Sequence, residues 1–333
     1  MRRRRAGRAL ARAGLGVALL LPVLAAPRAA TAQSDPRVPW IGFLANEPTP
    51  DSSPMLRARL AELGWVEGRN VRLWYRYAQG RFELFPGHAE ELVRLGVSVI
   101  VAASPPAIEA ARRATTTTPI VIATTDDPVA NGLVASLARP GGNVTGFTMA
   151  VPGLAARRLE LLRQAVPALA RVAVLWNPTN PSVAAELKET QAAARALGME
   201  VVPVALPADT DLRAALRAIT SAQAGGLVVL ADLLTVTHRA ELAKFAARNR
   251  LPAVFPLPEF VDAGGLLAYG GSWSDAFRRV AVLVDRILKG AAPGELPVAR
   301  PGRFELHVNL RAAKALELPL SSALLSRADR VVQ

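Results

Sequence analysis

The sequence of 333 residues contains no cysteine. This absence excludes disulfide frameworks, thiolate nucleophiles, iron–sulfur clusters and cysteine-ligated zinc. The three histidines, His88, His238 and His307, lie too far apart along the chain to give a paired metal-binding spacing. No glycine-rich segment ends in the lysine of a phosphate-binding loop, and no Gly-x-Ser-x-Gly elbow occurs. The sequence therefore predicts a protein without metal or cofactor and gives little support to catalysis.

Acidic residues are missing from the first 32 positions, where seven of the 40 basic residues lie. Without this segment the formal net charge falls from +13 to +6, with 33 basic residues against 27 acidic ones. The remaining arginines are scattered along segments of helical period instead of being clustered. Scattered charge is typical of a solvated surface, so the sequence predicts no nucleic-acid partner.

Residues 1–32 have the three parts of a secretory signal peptide. An arginine-rich stretch over residues 2–12 precedes an apolar stretch over residues 13–26, and Ala30-Thr31-Ala32 supplies the small residues of a cleavage site. The apolar stretch is shorter than the roughly 20 residues that span a membrane, so we expect cleavage after Ala32. No cysteine stands near that point. We therefore expect a periplasmic protein that is not a lipoprotein.

From Val38 onward, β-like apolar runs alternate with longer segments of helical period. This alternation predicts an α/β protein in which helices cover parallel sheets. The predicted strands are 40–45, 71–77, 98–102, 120–124 and 144–148, then 172–176, 201–204, 227–230, 253–256 and 266–269.

The two series of strands repeat each other. The first strand of each series is followed by asparagine, at Asn46 and Asn177, which are 131 residues apart, and helix-ending Gly64 and Gly198 are 134 residues apart. The offset predicts two similar doubly wound parallel-sheet lobes joined by a multi-strand hinge. We expect residues 37–149 with about 266–295 in lobe 1, and residues 150–263 in lobe 2. Residues 296–333 are placed near the hinge, with their lobe left open.

Two facing lobes of this kind would line one cleft with the C-terminal ends of their strands, where open α/β sheets bind ligands. The residues at these ends are the predicted ligand-binding set: Asn46, Glu47, Ser104, Pro105, Thr124, Thr125 and Asp126 in the first lobe, Asn177, Thr179, Asn180, Asp232 and Glu259 in the second, and Tyr269 and Gly270 after the returning strand.

Several of these residues have a second interpretation. Ser104-Pro105 opens a helix whose free N–H groups attract an anion such as a carboxylate, unless the Ser104 side chain only caps that helix. Asp232 pairs with a ligand ammonium or acts as an ordinary cap residue. Glu259 binds ligand or makes a hinge hydrogen bond, and Trp176 packs in the core or forms an aromatic wall of the cleft.

Motif-like segments run through nearly the whole chain after residue 37. They include residues 63–70 (LGWVEGRN) and 259–266 (EFVDAGGL), and the most specific is 136–146 (SLARPGGNVTG). On these segments the chain resembles the ABC-transporter substrate-binding proteins of the TrpX-like group, which have the type I periplasmic-binding-protein fold. It departs from the group at Ser104, where threonine is common, and at Asp126, where glycine is common.

The resemblance implies an exported, monomeric receptor that is not an enzyme. It would capture a small solute, a tryptophan or tyrosine in some relatives, and deliver it to a membrane permease powered by a separate ATPase. Two other functions stay open. One is a ligand-binding sensory or accessory protein for a signalling partner. The other is a secreted enzyme with Asp232 and Glu259 as paired carboxylates, although no nucleophile accompanies them.

Overall fold

The computed structural model describes residues 38–49, 52–207 and 211–333, so the predicted signal peptide, residues 1–32, lies outside the described residues. The strands are β1 Trp40–Ala45, β2 Arg72–Tyr77, β3 Val99–Ala103, β4 Ile120–Thr124, β5 Val144–Thr148, β6 Arg171–Trp176, β7 Glu200–Ala205, β8 Gly226–Val229, β9 Ala253–Phe255, β10 Leu267–Gly270, β11 Glu305–Asn309 and β12 Arg330–Val332. The helices are α1 Ser53–Glu62, α2 Phe85–Arg94, α3 Pro105–Ala114, α4 Leu154–Ala165, α5 Pro181–Ala196, α6 Leu212–Ser221, α7 Leu233–Thr237, α8 Arg239–Arg248, α9 Glu259–Asp262, α10 Trp273–Leu288, α11 Leu310–Ala315 and α12 Ser322–Leu325.

Two sheets with the same internal strand order form the framework. The first has the order β2-β1-β3-β4-β5, and the second runs β7-β6-β8-β9-β10 before it extends to β11 and β12. All neighbours pair in parallel except β10 and β11. The prediction of two similar doubly wound α/β lobes is confirmed.

The central strands, such as β3 (VIVAA) and β8 (GLVV), are apolar because helices cover both faces of each sheet, whereas the outer strand β2 (RLWYRY) carries charged residues. In β3, Val99 and Val101 belong to the cluster packed around α1 and α10, whereas Ile100 and Ala102 face α2 and α3. All four residues are fully buried. Alternate residues of one strand thus fill two separate cores, which fixes the strand's register.

Strand β10 lies in the second lobe, which corrects the predicted boundary at residue 266. It pairs in parallel with β9, Leu267 opposite Val254, and antiparallel with β11. The close approach needs glycine at the strand end, since a Cβ on Gly270 would lie 1.9 Å from the Pro256 carbonyl oxygen. The helix that follows, α10, packs on β3, β4 and β5 of the first sheet. The C-terminal strands β11 and β12, whose lobe the sequence did not determine, complete the second sheet.

Three segments connect the lobes and form the hinge. Residues 149–153 lead from β5 to α4, and residues 271–272 lead from β10 back to α10. After α10 the chain runs beside β5, where Ala299 bridges Phe147, and then crosses to β11. Within the described ranges no helix is long and apolar enough to cross a membrane.

Candidate functional site

A cavity of about 440 Å³ lies between the lobes, at the C-terminal ends of β1, β3 and β4. Its position in the first sheet is the point between β1 and β3 where the strand order reverses, the usual ligand position in such sheets. Half of the predicted ligand-binding residues line it: Asn46, Glu47, Ser104, Pro105, Thr124, Thr125 and Glu259. The volume falls within the range of small-molecule sites, about 300–1,000 Å³.

Ser104 stands at the entry to α3 in an unusual conformation. Its backbone has φ 115° and ψ 148°, a region that residues with a side chain rarely occupy, and such strain persists where the surroundings impose it. The hydroxyl makes no capping bond to α3, so the alternative in which the Ser104 side chain caps the helix is wrong. The Oγ atom is buried without a hydrogen-bond partner among the described residues. It is an unused hydrogen-bonding group at a residue that lines the cavity.

Two first-lobe side chains at the mouth of the cavity already have protein partners. The Oδ1 atom of Asn46 accepts the Gly80 N–H at 2.8 Å. The carboxylate of Glu47 lies 3.8 Å from the guanidinium of Arg239, which belongs to α8 of the second lobe. Both members of that pair are partly exposed, so the ion pair is screened by solvent. It bridges the two lobes across the mouth.

One wall of the cavity is apolar and was not predicted from the sequence. Trp273 and Phe277 of α10 contribute rings whose centroids are 5.8 Å apart, and Phe260, Leu233 and Val236 line the cavity from the second lobe. A signal for this wall existed in the sequence. Trp273 directly follows the Gly-Gly-Ser turn at the end of β10, which is one of the hinge crossings.

Three predicted aromatic or hinge positions lie outside the cavity lining. Trp176 packs at the border of the second-lobe core, which supports its core interpretation. The Tyr269 carbonyl accepts a hydrogen bond from Arg158 Nε at 2.8 Å, and its ring contacts Phe304. Gly270 packs against the Pro256 carbonyl. These residues support the hinge and second sheet.

The other five predicted residues, Asp126, Asn177, Thr179, Asn180 and Asp232, form a buried polar network beside the cavity. Asn180 Nδ2 lies 3.1 Å from Asp126 Oδ2 and 2.9 Å from Asp232 Oδ2. Asn177 Nδ2 lies 3.2 Å from Asp232 Oδ2, and the Asn177 Oδ1 atom accepts from Thr179. Asp126 belongs to the first lobe and Asn180 to the second. The network thus joins the lobes in a closed arrangement.

Local helix starts position the second-lobe side of this network. Asn180 caps α5 by accepting the Ser182 N–H at 3.0 Å. Asp232 caps α7 by accepting the Leu234 N–H at 2.9 Å, and Thr235 completes a capping box. The cap interpretation of Asp232 is therefore confirmed. Its carboxylate lies outside the lining of the main cavity.

Asp126 is almost fully buried and has no ion-pair partner within the described ranges. Burial raises the pKa of its carboxyl from the ordinary 3.8 to about 6, and the nearby negative charge of Asp232 contributes in the same direction. Hydrogen bonds from Asn180, Thr125 and Asn131 oppose the increase in the pKa. The raised pKa places the protonation of this carboxyl well above the range of an ordinary aspartate.

The family model of ABC transporter substrate-binding proteins matches residues 55–332. The chain belongs to this family. Its members are non-catalytic, extracytoplasmic proteins that bind small solutes for an ABC transporter, so the secreted-enzyme alternative is wrong. The separation of Glu259, which lines the cavity, from Asp232 in the polar network agrees with this conclusion. No group of residues able to hold a metal ion occurs in the described part of the chain.

Relatives of known name or structure extend the comparison. The chain is 26% identical to the tyrosine-binding protein of Clostridioides difficile strain R20291 over 266 residues, 79% of this chain and 76% of that protein. A conserved domain protein of Vibrio cholerae superposes with a TM-score of 0.81 at 25% identity, covering 88% of this chain and 99% of that one. An ABC domain from Streptococcus pneumonia in complex with L-Trp gives 0.81 at 23% identity, with the same two coverages.

Proposed function

We propose that the protein is the exported receptor of an ABC importer and closes its two lobes on a free amino acid with a large apolar side chain, aromatic ones foremost. After removal of residues 1–32 it acts in the periplasm as a monomer. It hands the solute to a membrane permease that is powered by a separate ATPase. The observation that carries the proposal is the composition of the cavity lining, which combines polar groups at the first-lobe strand ends with the aromatic side chains of Phe260, Trp273 and Phe277.

The Ser104 end of the cavity suits a carboxylate. A negatively charged ligand group there meets the N-terminus of α3, a helix of ten residues, and the unpartnered hydroxyl of Ser104. Free N–H groups and the helix dipole both favour an anion at this position. The hydroxyls of Thr124 and Thr125 lie at the same strand-end edge. A ligand that supplies the missing hydrogen bond compensates for the strained backbone.

The aromatic and aliphatic part of the lining suits an apolar side chain. The rings of Trp273 and Phe277 and the side chains of Phe260 and Leu233 surround an apolar volume that can accept a ring in stacked or tilted contact. The carboxylates of Glu47 and Glu259 line the same cavity and offer opposite charge to an ammonium. Known relatives agree with this choice, since one carries the name tyrosine-binding protein and another holds L-Trp.

Ligand contacts from both lobes make closure the binding event. Ser104 belongs to the first lobe, whereas Phe260 and Leu233 belong to the second. A ligand that touches both sides interacts more strongly with the closed arrangement than with an open one, and so shifts the population toward it. No bond is made or broken.

Thermal unfolding of the protein beginning at Gln33, measured with a panel of amino acids, tests the proposal. A ligand present at 100 times its dissociation constant stabilises the folded state by about 2.7 kcal/mol. We expect stabilisation by L-tryptophan, L-tyrosine or L-phenylalanine. We expect weak or no effects from tryptamine, which lacks the carboxylate, and from indole-3-propionate, which lacks the ammonium. Silence of the whole panel would refute the amino-acid assignment.

A further inference from the structure

We propose that Asp126, Asn180 and Asp232 form a latch that holds the lobes closed and takes up one proton from solvent as the cleft closes. The three residues do not line the main cavity, so they act as positioning residues for the ligand. The proposal rests on the proposed function only in taking lobe closure as the binding event.

The geometry of Asn180 fixes the direction of its hydrogen bonds. Its Oδ1 atom accepts the Ser182 backbone N–H at 3.0 Å, so the Nδ2 group must face the two carboxylates. Its two hydrogens then go to Asp126 Oδ2 at 3.1 Å and Asp232 Oδ2 at 2.9 Å. Every polar atom of the amide is satisfied. One side chain of the second lobe thereby binds a carboxyl group from each lobe.

Further hydrogen bonds join polar groups of the two lobes at the same boundary. The Asp127 backbone N–H of the first lobe donates to Ser182 Oγ at 2.9 Å. The Ser182 hydroxyl in turn lies 3.2 Å from Asn131 Oδ1 of the first lobe. Opening the cleft breaks these bonds together with the bond between Asn180 Nδ2 and Asp126 Oδ2, whereas the bond between Asn180 and Asp232 lies within the second lobe and is kept. The latch is therefore a cooperative interlobe contact.

The two carboxyl groups have different partners. Asp232 accepts a backbone N–H at the start of α7 and the amide of Asn177, and these donors suit a carboxylate anion. Asp126 accepts only from neutral side chains, Asn180, Asn131 and Thr125. Both aspartates are 2% exposed. Two anions bridged by one amide repel each other in a buried site, and a proton on Asp126 removes that repulsion.

Charged groups on the surrounding elements are occupied elsewhere. The carboxylate of Asp127 accepts the N–H groups of Val129 and Ala130. On α5, Glu186 pairs with Arg158, and at the cavity mouth Glu47 pairs with Arg239. None of these cations is bonded to the Asp126 carboxyl. Separation of the lobes removes Asp232 and admits water, so the open state holds this proton more weakly. Acid therefore favours closure.

The closed fraction can be measured without any ligand. Because the chain has no cysteine, Glu109→Cys on α3 and Lys188→Cys on α5 create a unique pair of labelling sites, both exposed and on opposite lobes. Distances between two spin labels then report the ratio of closed to open molecules. In the otherwise unchanged protein we expect this ratio to rise as the pH falls from about 7.5 to about 5, by at most about tenfold per pH unit for one proton.

Three variants of the labelled protein separate the latch from simple structural support. Asp126→Asn, a neutral side chain of the same shape, should lose the pH dependence and be at least as closed at pH 7.5. Asn180→Ala should shift the population toward the open form at both pH values. Asp211→Asn, which changes a remote exposed cap of α6, should show the same dependence of the closed-to-open ratio on pH as the labelled protein without further substitution. A constant closed-to-open ratio across the pH range, or an unaltered pH profile in Asp126→Asn, would overturn the proposal.

Addition of L-tryptophan at each pH distinguishes this result from the fate of the amino-acid assignment. If pH shifts the label distances and no amino acid does, the latch stands and the ligand assignment fails. If L-tryptophan closes the cleft equally well at both pH values, the ligand assignment stands and the latch does not take up a proton.

Discussion

The two sheets have the same strand order, yet the point where that order reverses is used differently in each. In the first sheet the residue after β3 is Ser104, which lines the cavity and whose buried hydroxyl has no partner among the described residues. In the second sheet the corresponding residue is Asp232, whose carboxylate is bonded to Leu234, Asn177 and Asn180. The strand order determines where such a strand-end residue lies. Whether its polar group is free to bind a ligand depends on whether other protein groups already form hydrogen bonds with it.

The largest effect on this contrast is expected from removing the Asp232 side chain, whose carboxylate is hydrogen-bonded within the protein. Asp232→Ala deletes the cap of α7, leaves the buried Asn177 amide without its acceptor, and leaves the Asn180 amide with Asp126 alone. A lost cap costs about 1 kcal/mol and a buried unsatisfied group about 1–3 kcal/mol, so we expect the free energy of unfolding to fall by about 2–4 kcal/mol. Urea unfolding measures the change.

A matched control for Asp232→Ala is Asp211→Ala, which removes an aspartate cap from the exposed start of α6. It should lose only the capping contribution, about 1 kcal/mol. Equal losses of stability in the two variants would contradict the view that the second-sheet position is held by a buried network.

The pH dependence of stability sharpens the same comparison. The pKa of Asp126 is raised to about 6 in the folded protein, whereas the ordinary value is 3.8. The folded state therefore binds the proton more tightly, and this contribution to stability is present below about pH 4 and is lost as the pH rises through 6. At pH 7 the Asp126→Asn protein should be more stable than the unchanged protein by about 1–3 kcal/mol, a difference that vanishes by pH 4.

Urea titrations of both proteins at several pH values measure that difference. Subtracting the free energies of unfolding of the two proteins cancels the contributions of all other titrating groups. The difference then reports only Asp126 and the groups coupled to it. A stability difference that does not vary with pH would show that the carboxyl is not protonated on folding.

The first-sheet position should respond in the opposite way. Ser104→Ala removes a hydroxyl that no described protein group uses, so the free energy of unfolding should change by less than about 0.5 kcal/mol. Binding of the amino-acid ligand should weaken by about 1–2 kcal/mol, or roughly 5- to 30-fold, because a hydrogen bond to a charged group is lost. Titration calorimetry and urea unfolding on the same sample separate the two effects.

Ser104→Gly adds a second readout at the same position. Glycine occupies φ 115° without strain, which relieves about 1–3 kcal/mol, while its greater freedom in the unfolded chain costs about 0.5–1 kcal/mol. We expect a ligand-free protein that is about 1 kcal/mol more stable than Ser104→Ala and binds ligand equally weakly. Loss of stability in Ser104→Gly would argue against strain at this residue.

Much of the fold could be predicted because its central strands are buried on both faces. Runs such as Ile120–Thr124 are apolar throughout and end at clear breaks, so their bounds follow from the sequence. The duplication also follows, since Asn46 and Asn177 recur after equivalent strands. The assignment of β10 to the second lobe could not be predicted from the sequence. A short strand after Gly264-Gly265 pairs with whichever edge is free, and long-range pairing with β11 is not encoded in local periodicity.

The cavity could be predicted only where backbone topology determines it. Ser104 and Glu47 follow strands directly, so their approach to one edge is a consequence of parallel pairing. Trp273 and Phe277 line the cavity because α10 packs on the first lobe. Asp126 does not line it, and its carboxyl group is hydrogen-bonded to Asn180 of the second lobe. Such contacts depend on how the two lobes meet, which no pattern within one lobe specifies.

The smallest expected effect belongs to the ion pair at the cavity mouth. Glu47 and Arg239 join the lobes at 3.8 Å, as the latch does, but their side chains are 46% and 35% exposed. Exposed pairs contribute about 0.2–1 kcal/mol and weaken with salt. Arg239→Gln should therefore lower ligand affinity by less than about fivefold, and the loss should shrink at high ionic strength, whereas the buried latch should be insensitive to salt. A salt-independent loss in Arg239→Gln would mean that this arginine acts on the ligand directly, and the two interlobe contacts would no longer differ only in their burial.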